Sequence, residues 1–237
     1  MELICLKDIR LVRGDWVLAL NALEISAGEK VAILGENGSG KTTVLQIIAG
    51  LLKASGQIEL VSDGSVYSWH SLGAEERAKH LSYLPQRTDV LFNLNVSDIV
   101  RLRYGVPFSA ARLEEVVNIL SLAGLMSRRY SELSGGERRR VMLVRALLSD
   151  APFVLLDEPT APFDMRHTEQ TMRYLMSLPC AVVASIHDIN VAARYFTRFI
   201  LLKEGKIIFD GGQLNAEKLE ETYNMPIRTC GNHFIPA

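Results

Sequence analysis

Three short apolar runs in this sequence are each followed at once by polar or glycine-rich residues. The runs span residues 31–34, 153–156 and 181–186. Continuous apolar runs of this length are typical of strands in a parallel sheet that is covered on both faces. In open sheets of this kind, ligands bind at the carboxyl ends of the strands. The pattern therefore predicts an α/β fold with a ligand site where these strands end.

Other segments have the alternating pattern of antiparallel strands. Strand-like patterns cover residues 3–11 and 16–25. Residues 199–210 have the pattern of a hairpin that turns at Glu204-Gly205. These segments predict an antiparallel side-sheet next to the parallel strands.

The middle of the chain has a helical pattern instead. Residues 113–125 carry apolar residues at helical spacing, and residues 134–148 open with Ser134 and Glu137, the spacing of a capping box. We therefore expect a single domain over residues 1–237 with a helical insert. The expected parts are a core of residues 1–86 and 153–210, a helical subdomain of residues 87–152 and a tail of residues 211–237.

Composition and charge narrow the class of protein. Of the 237 residues, 48% are hydrophobic and 22% charged, which is enough apolar material for a sizeable core. The formal net charge of -1 gives no overall positive field, so we expect no nucleic-acid partner. The longest apolar runs fall short of the ~18 residues that cross a bilayer, and the first residues lack the layout of a signal peptide. These features predict a soluble chain in the cytoplasm.

The three cysteines, Cys5, Cys180 and Cys230, are odd in number and far apart. Their spacing indicates neither a disulfide framework nor a zinc site. We expect three reduced thiols that have packing roles.

A glycine-rich loop follows the first buried run and leads into an apolar helical stretch over residues 44–52. This context is the one that a P-loop requires. Successive backbone N–H groups of such a loop face phosphates, Lys41 reaches the β- and γ-phosphates, and the Thr42 hydroxyl binds Mg²⁺. The candidate ATP-binding residues are Gly35, Glu36, Asn37, Gly38, Ser39, Gly40, Lys41, Thr42 and Thr43.

Two carboxylates, Asp157 and Glu158, follow the second buried run. An Asp-Glu pair at a strand end is often only the start of a solvated loop. With a P-loop upstream, Asp157 suits Mg²⁺ positioning and Glu158 suits polarising the water that attacks the γ-phosphate.

Two further polar residues lie where strands are predicted to end. From the end of the third run, His187 could contact the γ-phosphate and hold the attacking water. Gln86 follows the strand-like residues 81–85 and offers an amide oxygen to Mg²⁺ or to the water. The candidate catalytic residues are thus Lys41, Gln86, Glu158 and His187.

A second glycine-rich helix start occurs at residues 133–137. Its Ser134 hydroxyl and free N–H groups would form a second anion site, although plain capping by Ser134 and Glu137 explains the same residues. We interpret both roles as compatible. The three arginines that follow, residues 138–140, are expected to form solvated helix surface, because consecutive residues spread around a helix.

In order and spacing, these motifs resemble those of an ATP-binding cassette (ABC) ATPase over nearly the whole chain. Residues 35–42 match its Walker A motif, Gln86 its Q-loop, residues 133–137 its LSGGQ-type signature, residues 154–158 its Walker B motif and His187 its switch histidine. The resemblance implies a P-loop NTPase (RecA-like) core with an antiparallel β side-sheet and an inserted α-helical subdomain. It also implies ATP hydrolysis with Mg²⁺, held by Thr42, Gln86 and Asp157.

The resemblance further implies a head-to-tail homodimer with two composite sites. In each site the P-loop of one chain and the signature of the other enclose one ATP, and Asp164 belongs to the D-loop that crosses the interface. The signature residues are Leu133, Ser134, Gly135, Gly136 and Glu137.

Residues 83–86, 187–190 and 194–196 are most similar to those of importers of iron-siderophore, haem or cobalamin complexes. Membership of that group implies a polytopic permease as partner, a position at the cytoplasmic face of the inner or plasma membrane, and an indirect link to a periplasmic or lipid-anchored substrate-binding protein. An exporter or lipid-handling complex is a close alternative, and a non-transport cassette ATPase or a non-hydrolysing sensor a more distant one.

Two features depart from the family pattern. Spacing from the P-loop puts Val12 where an aromatic residue usually stacks on adenine, so that Trp16 of the same loop is the candidate substitute. The D-loop contains Pro162-Phe163, where small or aliphatic residues are commoner.

Overall fold

The computed structural model describes residues 2–87, 94–102, 109–231 and 233–237. Within these ranges the strands are β1 (Leu3–Arg13), β2 (Trp16–Ser26), β3 (Lys30–Leu34), β4 (Ser55–Ser62), β5 (Ser65–Ser68), β6 (Leu81–Leu84), β7 (Phe153–Asp157), β8 (Ala181–Ser185), β9 (Arg198–Lys203), β10 (Lys206–Gly211), β11 (Ile227–Cys230) and β12 (His233–Pro236). The helices are α1 (Lys41–Ile48), α2 (Ala74–His80), α3 (Val96–Arg101), α4 (Ala110–Ile119), α5 (Gly135–Leu147), α6 (Met165–Ser177), α7 (Ile189–Tyr195) and α8 (Ala216–Tyr223). Short 3₁₀ turns occur at Trp69–Ser71, Ala123–Leu125 and Tyr130–Glu132.

Ten of these strands form one sheet, in the order β5-β4-β1-β2-β10-β9-β3-β8-β7-β6. The strands β9, β3, β8, β7 and β6 are paired in parallel along this order. The three apolar runs of the sequence are β3, β7 and β8, which confirms the predicted parallel strands. The carboxyl ends of all three strands lie at the same end of the sheet, because the strands run parallel to one another.

Both faces of the parallel strands are buried. On β3, Ala32 and Leu34 face one apolar cluster while Val31 and Ile33 face the other, as the two-residue period of a strand requires. Helix α1 packs against the face that includes Val31, and α5 packs against the opposite face. This packing fixes the positions of both helix starts relative to the strand ends.

The predicted antiparallel strands form, and they are continuous with the parallel strands. The link is β10, which pairs with β2 in parallel at Lys206 and Ala19. The turn before β10 brings Gly205 so close to β2 that a Cβ on it would lie 2.1 Å from the Val17 carbonyl oxygen. The Gly205 carbonyl accepts from the Ala19 N–H at 2.8 Å, and its own N–H donates to the Ser39 carbonyl at 3.0 Å.

Helices α3, α4 and α5 lie in the chain between the adjacent strands β6 and β7. The helix predicted over residues 113–125 is shorter: α4 ends at Ile119, and Ser121 has a φ of 54°, which stops the helix before the following 3₁₀ turn. The helical stretch predicted to reach residue 52 likewise ends at Ile48, because Gly50 takes a left-handed conformation. Across the described ranges, every helix is too short or too polar to cross a bilayer.

The tail packs onto the rest of the chain. Leu219 of α8 is fully buried, and the side chain of Asn190 makes two hydrogen bonds to the backbone of Phe234, at 2.8 and 3.0 Å. The Tyr223 hydroxyl at the end of α8 accepts a hydrogen bond from the Gly35 N–H at 3.2 Å. The tail therefore contacts the start of the glycine-rich loop.

Candidate functional site

The glycine-rich loop joins β3 to α1, and the lysine at its end is hydrogen-bonded back to the start of the loop. Lys41, the first residue of α1, is buried, and its Nζ donates to the carbonyls of Gly35 at 2.7 Å and Glu36 at 3.0 Å. Burial lowers the pKa of Lys41, and the carboxylates of Glu158 and Asp157 act in the opposite direction. The ammonium thus spans the loop on the side that faces these carboxylates.

A cavity of about 510 Å³ lies over this loop. Its size is within the range of small-molecule sites. Most of the predicted ATP-binding and catalytic residues line it together. The lining residues are Arg13, Trp16, Asn37, Gly38, Gly40, Lys41, Thr42, Thr43, Gln86, Glu158 and His187.

Ser39 and Glu36 also belong to the glycine-rich loop but do not line the cavity. Ser39 is buried, and its Oγ has no hydrogen-bond partner among the described residues. Glu36 is exposed at the tip of the loop, and its carbonyl accepts from the Ser39 N–H at 3.2 Å.

Asp157 ends β7 and is fully buried. Its Oδ1 accepts a hydrogen bond from the Ser185 hydroxyl at 2.6 Å, whereas its Oδ2 has no partner in the described part of the chain. A buried acceptor oxygen without a donor fits a water molecule bound to Mg²⁺. No group of three or more His, Cys, Asp or Glu in the described ranges could hold a metal. One carboxylate with a hydroxyl suits Mg²⁺, which usually keeps several waters and binds substrate phosphates.

Glu158 lies at the centre of the predicted catalytic residues. Its Oε1 is 2.7 Å from Nε2 of Gln86 and 2.7 Å from Nε2 of His187. Its backbone has a φ of 53°, a left-handed conformation that is uncommon for a residue with a side chain. The Glu158 N–H donates to the Ser185 hydroxyl at 2.9 Å. The same serine therefore orients Asp157 and Glu158.

The hairpin β1–β2 places Arg13 and Trp16 in the cavity wall, and it leaves out Val12, the position that spacing from the P-loop indicated. Arg13 and Trp16 are a cross-strand pair, and both line the cavity. Val12 pairs with Val17 and is 55% exposed, outside the cavity wall. Arg13 was not among the residues predicted from the sequence. The signal for it was the two-residue turn, which makes residues 13 and 16 opposite partners.

The Trp16 indole lies against the loop itself. A Cβ on Gly40, whose φ is 110°, would come within 3.0 Å of a ring carbon of Trp16. The indole Nε1 is buried and has no hydrogen-bond partner in the described ranges. Trp16 therefore forms the wall beside the start of α1.

The second predicted anion site is the start of α5, and it lies outside the cavity. Ser134 caps the helix: its backbone N–H and its hydroxyl each donate to the Glu137 carboxylate at 2.8 Å, and its Oγ accepts from the Glu137 N–H at 3.3 Å. These hydrogen bonds lower the pKa of Glu137. Ser134 and Gly135 are exposed, and Leu133 is buried beneath them. The capping box predicted from the sequence is confirmed.

Asp164 caps α6 in the same way. Its carboxylate accepts from the His167 N–H and contacts the His167 Nδ1, each at 2.8 Å. The Asp164 side chain remains 64% exposed, so it can still meet another molecule.

The expectation for the arginines of residues 138–140 was wrong for Arg139. Only 6% of Arg139 is exposed, and its guanidinium donates to four backbone carbonyls. Arg139 lies on the face of α5 that packs against the ends of β6 and β7, whereas the sequence shows only three adjacent charges. Arg138 lies over the Tyr130 ring and donates to the Ser131 carbonyl at 2.7 Å.

Sequence comparison assigns the chain to a family over a region that contains the glycine-rich loop, Gln86, Ser134 and Glu158. The sequence profile of the family described as ABC transporter matches residues 20–161. This chain belongs to the ABC transporter family. It is an ATP-binding protein and an ATPase of that family, as its motifs predicted.

Relatives of this ABC ATPase include import proteins. A hemin import ATP-binding protein of Vibrio anguillarum is 34% identical over 218 residues, which cover 85% of this chain and 82% of the relative. A petrobactin import ATP-binding protein of Bacillus anthracis is 37% identical over 202 residues, or 80% of this chain and 73% of the relative. A solved dimeric, post-hydrolysis ATP-binding cassette bound to ADP and Pi has a TM-score of 0.75 and 29% identity, and the match covers 90% of this chain and 99% of that one.

Proposed function

We propose that this ABC ATPase powers the import of an iron-siderophore, haem or cobalamin-type chelate. The support is its similarity to the hemin and petrobactin import proteins, which extends over most of each chain. In this proposal the protein is a homodimer that binds a polytopic permease at the cytoplasmic face of the membrane. A periplasmic or lipid-anchored substrate-binding protein delivers the chelate to that permease.

We assign residues 1–86 and 153–210 to the nucleotide-binding core, residues 87–152 to a helical subdomain and residues 211–237 to a tail. The chain order of α3, α4 and α5 between β6 and β7 supports the assignment. Gln86 ends the core at the point where the subdomain begins, and its amide contacts Glu158. Movement of the subdomain would therefore move a group that touches the catalytic carboxylate.

In the ATP complex, the Lys41 ammonium exchanges the carbonyls of Gly35 and Glu36 for the β- and γ-phosphate oxygens. Negatively charged oxygens are the stronger partners for this cation. The other loop residues supply backbone N–H groups and the positive end of α1. Trp16 and Arg13 hold the adenine at the hairpin end of the cavity.

Thr42, Asp157 and Gln86 are the groups that would hold Mg²⁺, which neutralises phosphate charge when bound. Asp157 is fixed for this role by the 2.6 Å hydrogen bond from Ser185. Its remaining oxygen, Oδ2, is the buried acceptor without a donor.

Glu158 accepts a proton from the attacking water in this mechanism. Its carboxylate is held between Gln86 and His187, each at 2.7 Å, and this arrangement is the observation that carries the proposed chemistry. His187 Nε2–H donates to Glu158 and can turn to the γ-phosphate as negative charge develops there.

The start of α5 completes the site of a second chain. Ser134 and Gly135 are exposed and lie outside the cavity of their own chain, which favours a head-to-tail dimer. In that dimer Leu133, Ser134, Gly135, Gly136 and Glu137 of one chain cover the ATP of the other, and Asp164 lies at the interface. The surface near residues 87–105 contacts the permease; residues 88–93 and 103–105 of it lie outside the described ranges.

Two experiments test this proposal. Glu158→Gln protein with saturating MgATP should elute as a dimer, and adding Ser134→Arg should return it to a monomer. Affinity purification of the tagged chain from gently solubilised host membranes should recover a permease in stoichiometric amount. A Glu158→Gln protein that stays monomeric would contradict the composite site, and recovery of ribosomal or DNA-repair proteins without a membrane partner would contradict the transport role.

A further inference from the structure

The buried guanidinium of Arg139 lies where the β6–β7 ladder ends. The last backbone pair of that ladder joins Leu84 to Leu156. Beyond it, four carbonyls converge on one side chain. Nη1 of Arg139 donates to Pro85 and to Gln86, the latter at 3.2 Å, and Nη2 donates to Asp157 and to Glu158, the latter at 3.1 Å.

This arrangement is unusual because a carboxylate is the common partner of a buried arginine. Here all four acceptors are backbone carbonyls of the two segments that carry Gln86 and Glu158. The planar guanidinium presents several N–H groups in a fixed geometry, so it can replace the missing ladder between the segments. Burial lowers the pKa of Arg139, and the nearby carboxylates of Asp157 and Glu158 act in the opposite direction without a direct ion pair.

The backbone of Glu158 needs such support. Its φ of 53° is a sparsely populated conformation that persists only where the surroundings hold it. Its N–H is held by the Ser185 hydroxyl and its carbonyl by Arg139. A change on either side would rotate the Glu158 peptide and move its carboxylate away from His187.

Arg139 also connects the helix start to this peptide. It lies five residues after Ser134, about 7.5 Å along the axis of α5. At the other end of the helix, the Ser82 hydroxyl of β6 donates to the Ala146 carbonyl at 2.8 Å. Helix α5 is thus bonded to the segment that follows β6 through Arg139 and to β6 itself near its other end, so a displacement of its start is transmitted to the Glu158 and Gln86 carbonyls.

We propose that Arg139 is a positioning residue for ATP hydrolysis, whose guanidinium holds the backbone that aims the Glu158 carboxylate and the Gln86 amide. This inference rests on the catalytic roles proposed above for those two residues. Arg139 does not line the nucleotide cavity, and it contacts Gln86 and Glu158 only at their backbone carbonyls, so its loss should slow turnover without weakening ATP binding.

The test compares Arg139→Lys, Arg139→Gln and Arg139→Ala with the wild type in the full chain. Arg173→Gln serves as control, because Arg173 is an exposed arginine that pairs with Glu169 on α6. We expect kcat to fall by roughly ten- to a hundredfold in the three variants, with KM for MgATP and the affinity for a fluorescent ATP analogue within about threefold of wild type. Arg173→Gln should match the wild type in all of these values.

Chemical rescue separates positioning from general loss of structure. Guanidinium chloride at about 10 mM, far below denaturing concentrations, should raise the kcat of Arg139→Ala several-fold because the ion can occupy the vacated space. It should not restore Glu158→Gln. Rescue, together with the split between kcat and KM, supports the proposal.

Three results would overturn it: kcat within about twofold of wild type in all three variants, ATP affinity that falls as much as kcat, or the absence of any folded variant, Arg139→Lys included. The Glu158→Gln protein, measured in parallel, separates the two proposals. If Glu158→Gln retains turnover, the proposed role of Glu158 fails; if it loses turnover while the Arg139 variants do not, only the role of Arg139 fails.

Discussion

The imidazole Nε2 of His187 lies 2.7 Å from Oε1 of Glu158, across the ends of the adjacent strands β8 and β7. Neither residue is near the other in sequence, and only parallel pairing brings them together. Together with the contact from Gln86, this contact holds the Glu158 carboxylate in one position. A change at either residue should therefore alter the position of the Glu158 carboxylate.

Replacement of Glu158 by Gln should remove turnover and spare binding. The amide keeps the shape of the side chain but cannot accept the proton of the attacking water, so we expect kcat to fall by roughly 10²- to 10⁴-fold. Phosphate release measures kcat, and fluorescence titration with an ATP analogue should give an affinity within a few-fold of wild type. Glu114→Gln, at an exposed position on α4, is the control. An equal loss of affinity and turnover in Glu158→Gln would contradict the assigned role.

Replacement of Lys41 by Ala should mainly weaken the binding of ATP. The variant loses the cation that meets the phosphates and the two hydrogen bonds to Gly35 and Glu36. We expect the affinity for ATP to fall by at least about tenfold, since a charged hydrogen bond contributes roughly 1.5–3 kcal/mol. The same titration checks this, with Lys53→Ala as control. Unchanged affinity in Lys41→Ala would show that the ammonium does not leave the loop carbonyls.

Trp16 should contribute to the affinity for the adenine base of ATP. Trp16→Ala removes the indole from the cavity wall, and Trp16→Phe keeps an aromatic face. An aromatic stacking contact of about 1 kcal/mol predicts roughly fivefold weaker ATP binding for Trp16→Ala and a smaller loss for Trp16→Phe. Titration with ATP and with inorganic triphosphate separates the base from the phosphates. If both ligands lose affinity equally, Trp16 acts on the P-loop rather than on adenine.

Tyr223 should make stability depend on pH at the alkaline end. Burial raises the pKa of Tyr223 to about 12 from its ordinary value of 10.0. Because the folded pKa is the higher one, the stabilisation is complete below pH 10 and is lost as the pH rises through about 12.

The Tyr223→Phe variant isolates this contribution. At neutral pH it leaves the Gly35 N–H without its acceptor, and the free energy of unfolding should fall by about 1 kcal/mol. Urea unfolding between pH 8 and 12 should show this difference shrinking and then changing sign, because the unfolded chain loses the phenol proton near pH 10, before the folded chain does. A difference that stays constant over this interval would contradict the assignment.

The core of the site could be predicted because its residues follow short apolar runs. Asp157 and His187 each come directly after an apolar run that forms a parallel strand, and Lys41 ends the glycine-rich loop that follows another, so period and position were sufficient. The capping box at Ser134 is similarly local, because the residues that define it are only three apart.

Features that depend on register or on long-range packing could not be predicted. Val12 and Arg13 are adjacent, and only the pairing of the hairpin decides which of them faces the cavity. Arg139 resembles its two neighbours in sequence, and its burial depends on where α5 lies against β6 and β7. Helix α4 ends early because Ser121 takes a conformation that its residue type does not indicate.

The turn at Gly205 has a consequence for nucleotide preference. Gly205 is hydrogen-bonded through its carbonyl to β2, which begins with Trp16, and through its N–H to the P-loop at Ser39. Gly205 therefore sets the distance between the wall that we propose to bind the base and the loop that we propose to bind the phosphates. A residue that touches neither base nor phosphate thereby works as a spacer, and a bulkier turn would widen the slot for a purine without altering any group that binds it.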